Sequence, residues 1–348
     1  MTDTIVGASQ GSAGDAQQMR IAERVTMQRA LNLALEHELD SDPQVLVFGE
    51  DVGRLGGVFR VTDGLQQKFG EDRVFDTPLA EAGIAGISVG LAMNGFRPVA
   101  EMQFDGFSYP AVDQIVNQLA RMRARSRGVF GMPVTVRVPS FGGIRAPEHH
   151  GESMESLYAH VPGLKVVSPS TPHDAYHLLR QAVSDPDPVI FMEPKSRYWH
   201  RGDVGAEPAS DDLYSARVVR PGRHATLVTW GAMVARCLQA AEFAQEDGVE
   251  LEVLDLRWLK PIDEAALAES VSRTRRAVVV HEAPLTAGLG AEVGALIGEH
   301  CFADLKAPVL RVTGWDVPYP SGELEDEYIP SVDRILDGVQ RVLEYRRG

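Results

Sequence analysis

The chain has 348 residues, 44% hydrophobic and 24% charged, which suits two packed domains of ordinary size, and it contains no uninterrupted apolar run long enough to span a bilayer. A formal charge of −15 argues against nucleic acid as a partner and reads most simply as a solvated acidic surface that could also suit a basic partner protein. The two cysteines, Cys237 and Cys301, are far apart and have no second cysteine at metal-ligand spacing, which predicts two buried thiols in a reducing cytoplasm.

Residues 1–19 are rich in Ser, Gly, Ala and Gln, carry Asp3 and Asp15, and have no basic residue before Arg20. That is neither a signal peptide nor a transit peptide, and we expect a disordered cytoplasmic tail. Thr26 then reads as a helix N-cap, with Met27, Leu31, Leu35 and Leu39 recurring every four residues behind it. Gln44–Phe48 predicts a buried strand, Asp63–Phe69 a helix and Val74–Phe75 a short strand. A helix over Ala80–Asn94, a strand over Pro98–Phe104, a helix over Ala111–Arg125 and a strand over Val134–Val138 follow. Leu164–Val167, Pro172–Val183 and Val189–Met192 continue the alternation, which predicts an α/β fold with a mostly parallel sheet.

The pattern weakens between Tyr198 and Asp212, where Gly202, Gly205 and Pro208 mark a domain boundary. A second, smaller alternating set predicts strands at Thr226–Thr229, Leu251–Leu254, Ala277–His281 and Val309–Val312. Its helices are expected at Met233–Gln245, Glu264–Ser272, Ala291–Phe302 and Ser331–Tyr345.

Three stretches could carry chemistry. In Phe75–Gly86 a strand ends, Pro78 turns the chain, and a helix begins with Glu81 in its first turn. On local pattern alone the plainer reading of Glu81 is an acid favoured by the helix dipole. Gly83, Gly86 and Gly90 are harder to dismiss, because glycine costs roughly 1 kcal/mol in a helix interior. Their helical spacing predicts one bare stripe against another backbone, naturally a subunit contact. In Glu101–Pro110, Phe107 and Tyr109 follow a strand and could stack on a flat ring or simply pack in the core. In Ser140–Glu155, His149 and His150 lie in a glycine-rich loop, where an imidazole could donate or accept a proton; a metal is a weaker reading, since no third ligand is suitably spaced. The run Gly288–Gly294 does not match the dinucleotide fingerprint, and no Walker-type loop occurs. The first predicted strand ends in Glu50 and Asp51, where a pyrophosphate would sit, so a nicotinamide enzyme is disfavoured.

FGEDVG (Phe48–Gly53), GGVFRVT (Gly56–Thr62), FDTPLAEAGIAG (Phe75–Gly86), QFDGFSYPAVDQI (Gln103–Ile115), PEHHGES (Pro147–Ser153) and GLKVVSPSTPHDA (Gly163–Ala175) together resemble one family. It is the β subunit of the thiamine-diphosphate-dependent, decarboxylating component of 2-oxoacid dehydrogenase complexes, and the resemblance runs from about Arg20 to the C-terminus. It implies a pyrimidine-binding transketolase-like domain over residues 20–200, a linker over 201–214 and a transketolase C-terminal-like α/β domain over 215–348. It implies an α2β2 heterotetramer with thiamine diphosphate between subunits, and an acyltransferase core as the next partner.

By the same resemblance Glu81 would hydrogen-bond the pyrimidine ring nitrogen, Phe107 would lie against that ring, and Leu79 and Gln103 would line the pocket. His150 would assist acyl transfer to lipoamide; the serine usual after it in relatives is Gly151 here. A potassium ion would be held through Met132, Val134, Thr135, Ala182, Asp185 and Asp187. No Gly-Asp-Gly motif occurs in the chain, so Mg²⁺ and the diphosphate are expected on the α subunit. A non-catalytic subunit of the same fold would be expected to lack Glu81 or His150. HEAPLTAG (His281–Gly288) and Gly314–Pro320 look most like the branched-chain 2-oxoacid branch, with pyruvate and acetoin enzymes as alternatives. The acidic run Gly322–Glu327 is a candidate docking element for the acyltransferase core, or a solvated loop.

Overall fold

The structure is a computed structural model that describes residues 24–206, 208 and 210–346. The tail expected over residues 1–19 lies outside them. Strands β1 (Val45–Gly49), β2 (Val74–Asp76), β3 (Arg97–Glu101), β4 (Thr135–Ser140), β5 (Lys165–Val167) and β6 (Val189–Pro194) belong to the first half of the chain. The second half contributes β7 (Arg217–Arg220), β8 (Ala225–Thr229), β9 (Leu251–Asp255), β10 (Trp258–Lys260), β11 (Ala277–Pro284) and β12 (Leu310–Gly314). The longer helices are α1 (Met27–Ser41), α2 (Glu81–Met93), α3 (Pro172–Ser184), α4 (Met233–Glu246), α5 (Glu264–Thr274), α6 (Leu289–Cys301) and α7 (Val332–Glu344).

The first sheet has seven strands in the order β10-β5-β6-β4-β3-β1-β2. All pair in parallel except β10, which runs antiparallel to β5. The second sheet has five strands, β12-β11-β8-β9-β7, parallel except at β7. The expected two-part α/β architecture is therefore present. Strands buried on both faces read as continuous apolar runs, as Val45–Phe48 does. Four of the seven longer helices, α1, α3, α5 and α7, start where a side chain can take a free N–H group. The Thr26 hydroxyl accepts from Arg29 N at 3.1 Å, Thr171 caps α3 ahead of Pro172, and Asp263 caps α5.

Two features depart from the sequence reading. The helix expected over Ala111–Arg125 is instead a 3₁₀ turn through Pro110, one α-turn, a π-turn over Ile115–Leu119 and a final α-turn to Arg125. Proline in the first turn and the wider π-turn reset the helical phase, yet Ile115, Leu119 and Ala120 all stay buried. The second is β10, a strand of the second half that completes the edge of the first sheet. One apolar cluster accordingly runs from Val136 and Ile190 in the first half to Leu254, Leu289 and Val293 in the second. Cys237 and Cys301 are both buried and free.

Candidate active site

Four neighbouring strands, β4, β3, β1 and β2, deliver the candidate residues at their carboxyl ends, where parallel sheets bind ligands. Strand β2 leads through Thr77-Pro78 to α2, whose first residue is Glu81; Ala80 before it offers no side-chain cap. Beside it, Glu50 follows directly from β1 and is 8% exposed, and its Oε1 is buried without a hydrogen-bond partner. Burial, then the charges of Glu81 and Asp51, push the Glu50 carboxyl above its ordinary range. Glu50 is a functional candidate that the sequence reading missed; its only signal was an acid at a strand end. Asp51 sits in the left-handed region at φ 57° and accepts a hydrogen bond from Gln103 Nε2 at 3.1 Å. Leu79, next to Glu81, is 80% exposed.

The other wall is aromatic. Asp105, paired with Lys195 at 2.8 Å in full burial, also accepts from Gly106 N at 2.8 Å and so fixes the turn that carries Phe107. Phe107, Phe104 and His150 then pack edge to face: His150 lies 4.9 Å from Phe107 and 4.4 Å from Phe104, centroid to centroid. Helix α2 packs on this same turn, which brings the Glu81 and Phe107 elements together. Beneath them Arg137, fully buried, bridges Glu101 at 2.5 Å and Glu193 at 2.6 Å, and Tyr198 donates to Glu193 at 2.6 Å. An ion cluster this deep holds its strands in register, because freeing one partner would strand a buried charge.

His150 rides on a loop with three non-glycine residues in the left-handed region, Phe141, Arg145 and His149. Such backbone persists only where its surroundings impose it. The His150 Nδ1 lies 2.8 Å from the Glu148 carbonyl oxygen. A carbonyl can only accept, so Nδ1 carries a proton and Nε2 is an acceptor when the ring is neutral and a donor when it is protonated. Tyr109 stands apart from this cluster, 6.2 Å from His149.

The six residues expected at a potassium ion also meet in one corner. Met132 N donates to Pro186 O, Val189 N to Val134 O and Asp185 N to Ala182 O. The Asp185 carboxylate is taken by Lys165 at 2.7 Å and that of Asp187 by Arg123 at 2.5 Å, so a cation here would rely on carbonyls. The Thr135 hydroxyl is buried there without a partner. Among the described residues, no group of three or more His, Cys, Asp or Glu converges to hold a metal. Glu325 in the acidic run is buried and turned inward, which removes it from any docking surface. A groove of about 720 Å³ between α6 and the Glu155–Ala159 helix contains none of the candidate residues.

Comparison with known proteins identifies the class. Residues 23–199 match the transketolase pyrimidine-binding domain and residues 215–335 the transketolase C-terminal domain. The fold is shared with a split-gene transketolase in an inactive β4 tetramer, with a TM-score of 0.77 and 23% identity over 93% of this chain and 100% of that one. The chain is 53% identical to the pyruvate dehydrogenase E1 component subunit beta of Leifsonia xyli, over 93% of this chain and 96% of that one. It is 54% identical to the 3-methyl-2-oxobutanoate dehydrogenase subunit beta of Mycobacterium tuberculosis, over 93% of each. It is 48% identical to the Bacillus subtilis pyruvate dehydrogenase E1 component subunit beta, over 92% of this chain and 99% of that one. The chain belongs to the family of E1 β subunits of 2-oxoacid dehydrogenases, a thiamine-dependent, transketolase-like family. No helix among the described residues is long and apolar enough to cross a membrane.

Proposed function

We propose that this chain forms the pyrimidine half of a thiamine diphosphate site and that an α subunit closes that site, in an α2β2 heterotetramer, with Mg²⁺ and the diphosphate. The observation that carries this reading is the convergence of Glu81 and buried Glu50 with Phe107 and His150 at the carboxyl ends of neighbouring strands, beside Leu79, which is left 80% exposed. When bound, thiamine diphosphate supplies a nucleophilic carbon and an electron sink for decarboxylation. Glu81 offers a carboxyl to a ring nitrogen, with the buried Glu50 carboxyl near it. Phe107 offers a flat face, and Leu79 and Gln103 complete the rim.

His150 Nε2 serves acyl transfer to lipoamide. That step joins one sulfur to the acyl carbon, breaks the dithiolane S–S bond and leaves the second sulfur in need of a proton, which protonated Nε2 can deliver. The acyl carbon, oxidised from the aldehyde to the acid level, supplies the two electrons. The acceptor is the lipoyl group of a dihydrolipoyl acyltransferase core. A potassium ion would be held by carbonyls of the 132–135 and 182–187 segments, near the orphaned Thr135 hydroxyl.

For the substrate we favour branched-chain 2-oxoacids such as 3-methyl-2-oxobutanoate, on His281–Gly288 and Gly314–Pro320 and on the Mycobacterium relative. Pyruvate is the second reading, supported by the Leifsonia and Bacillus relatives. The test is co-expression with candidate α subunits and decarboxylation of each acid with an artificial electron acceptor. Turnover should require both chains and fall about 10²-fold or more in Glu81→Gln. Activity of this chain alone, or an unaffected Glu81→Gln enzyme, would overturn the reading.

A further inference from the structure

We propose that Tyr319, a side chain of the second domain, is a positioning residue for His150, and that Gly151 is glycine because the Tyr319 ring fills the space where a side chain would stand. The proposal rests on the reading of His150 given above only for its consequence in acyl transfer; the positioning itself is geometric.

The loop carrying His150 leaves β4 at Ser140 and returns at Glu155. Its two limbs are closed on each other by Phe141 N, which donates to Glu152 O at 3.0 Å. Tyr319 enters between these limbs. A β-carbon added at Gly151 would overlap Tyr319 Cε1 and stand 2.7 Å from Cδ1. A β-carbon at Gly142, on the opposite limb, would overlap the Tyr319 hydroxyl and stand 2.7 Å from Cζ. One ring therefore spaces both limbs, and one of its two glycine contacts is the residue bonded to His150. Neither glycine has a positive φ, so sterics alone select them.

The wedge is itself held. The Tyr319 ring packs edge to face on Tyr328 at 4.8 Å, and its hydroxyl is buried beside the Glu325 carboxylate. Glu325 is 1% exposed and accepts from Arg145 N at 3.0 Å, Asp326 pairs with Arg145 at 2.6 Å, and Glu282 accepts from Gly142 N at 2.9 Å. Tyr319, Glu325, Asp326 and Glu282 all come from the second domain, and all four grip this one loop of the first. Within the first domain His150 is bounded by Phe104 and Phe107 on its other side. The imidazole is thus set between the aromatic wall and a loop whose path the second domain dictates. Exchanging the ring for a smaller side chain frees Gly151, and with it the φ 70° turn at His149 that aims His150.

The experiment uses the assembled α/β enzyme with whichever of pyruvate and 3-methyl-2-oxobutanoate it turns over faster. Two rates are compared: decarboxylation with an artificial electron acceptor, and reductive acylation of the lipoylated domain of the acyltransferase. Tyr319→Ala should lower acylation about tenfold and decarboxylation by less than about threefold, while Tyr319→Phe, which keeps the ring, should retain most of both. Gly151→Ala should show the same split, and the double variant Gly151→Ala/Tyr319→Ala should recover part of the Gly151→Ala loss, because the added methyl then has room. The setting of His150 is read separately, as its rate of modification by diethyl pyrocarbonate, which should rise severalfold in Tyr319→Ala. An equal fall in both rates, no rescue in the double variant, or an unchanged modification rate would overturn the proposal. His150→Ala separates the two readings: if it leaves acylation intact, the acyl-transfer role fails, while the modification rate still decides the positioning.

Discussion

The imidazole of His150 stands edge-on to Phe107 with 4.9 Å between ring centroids, and the contact exists because Gly106 has no side chain. A β-carbon there would overlap the His149 carbonyl oxygen and stand 2.9 Å from the carbonyl carbon. The crowding atoms are backbone, so they cannot rotate away. Gly106→Ala is therefore expected to cost about 1–3 kcal/mol of stability through overpacking. It should also push His150 off the aromatic wall, so reductive acylation in the assembled enzyme should fall by more than the loss of folded protein explains. Thermal unfolding and the acylation rate per folded molecule check this together, and an enzyme that tolerates alanine would show that the loop can approach from elsewhere.

Much of this arrangement was legible in the sequence, because it depends on local pattern. The strand and helix order came from periodicity and the paired histidines stood out in their glycine-rich loop, whereas the role expected of Glu81 came from the family resemblance, its local pattern alone favouring an acid placed for the helix dipole. What was not legible depends on long-range contact. Nothing local marks Trp258–Lys260 as the edge of the other half's sheet, Tyr319 as a wedge under a loop far earlier in the chain, or Glu50 as a carboxyl buried against Glu81. The helix expected over residues 111–125 is helical from Val112 to Arg125, but its π-turn was hidden for a related reason: the π-turn preserves the burial of Ile115 and Leu119, and burial is all that the periodicity reported.

Among the described residues, no backbone of another element packs against the stripe Gly83, Gly86 and Gly90. A β-carbon at Gly90 meets nothing within 4 Å, and one at Gly86 meets only the Gln114 side chain. Within this chain, then, alanine at Gly90 should raise stability by up to about 1 kcal/mol through helix propensity. If the stripe seats another subunit, the same substitution should weaken assembly with the α chain. Opposite signs in unfolding of the isolated chain and in the α/β dissociation constant are the expected pair. Stabilisation with unchanged assembly would place the interface on another face.

Leu79 offers a parallel test at the site itself. At 80% exposure it contributes little to folding, so Leu79→Ser should leave unfolding of the isolated chain within about 0.5 kcal/mol. A leucine buried only on completion of the site is worth about 1.5–3 kcal/mol there, so the assembled enzyme should bind thiamine diphosphate about tenfold or more weakly. Titration of the cofactor by calorimetry reads this directly, and equal affinity in both enzymes would put Leu79 outside the pocket.

Glu155 and Glu282 give the fold a pH dependence whose sign is fixed by burial. Both are fully enclosed near the junction of the two domains, and burial pushes each carboxyl up to about 7, with Glu282 adding its charge at Glu155. Neither oxygen of Glu155 accepts a well-formed hydrogen bond, so its ionised form has little to offset the loss of water. A carboxyl raised in the folded state contributes its full stability below the unfolded value, near 4.5. That contribution is lost as pH rises toward 7, because the unfolded chain releases its proton first. The shift corresponds to about 3 kcal/mol per group as an upper bound, and less for the second, since the pair is coupled. Unfolding measured at pH 5 and at pH 8 should show the native chain losing stability across that interval, and Glu155→Gln losing less. At pH 8 the glutamine variant should be the more stable of the two, and at pH 4 the two should be nearly equal. If Glu155→Gln is destabilised at pH 8, Glu155 is ionised in the folded protein and is stabilised there by a donor that glutamine cannot use.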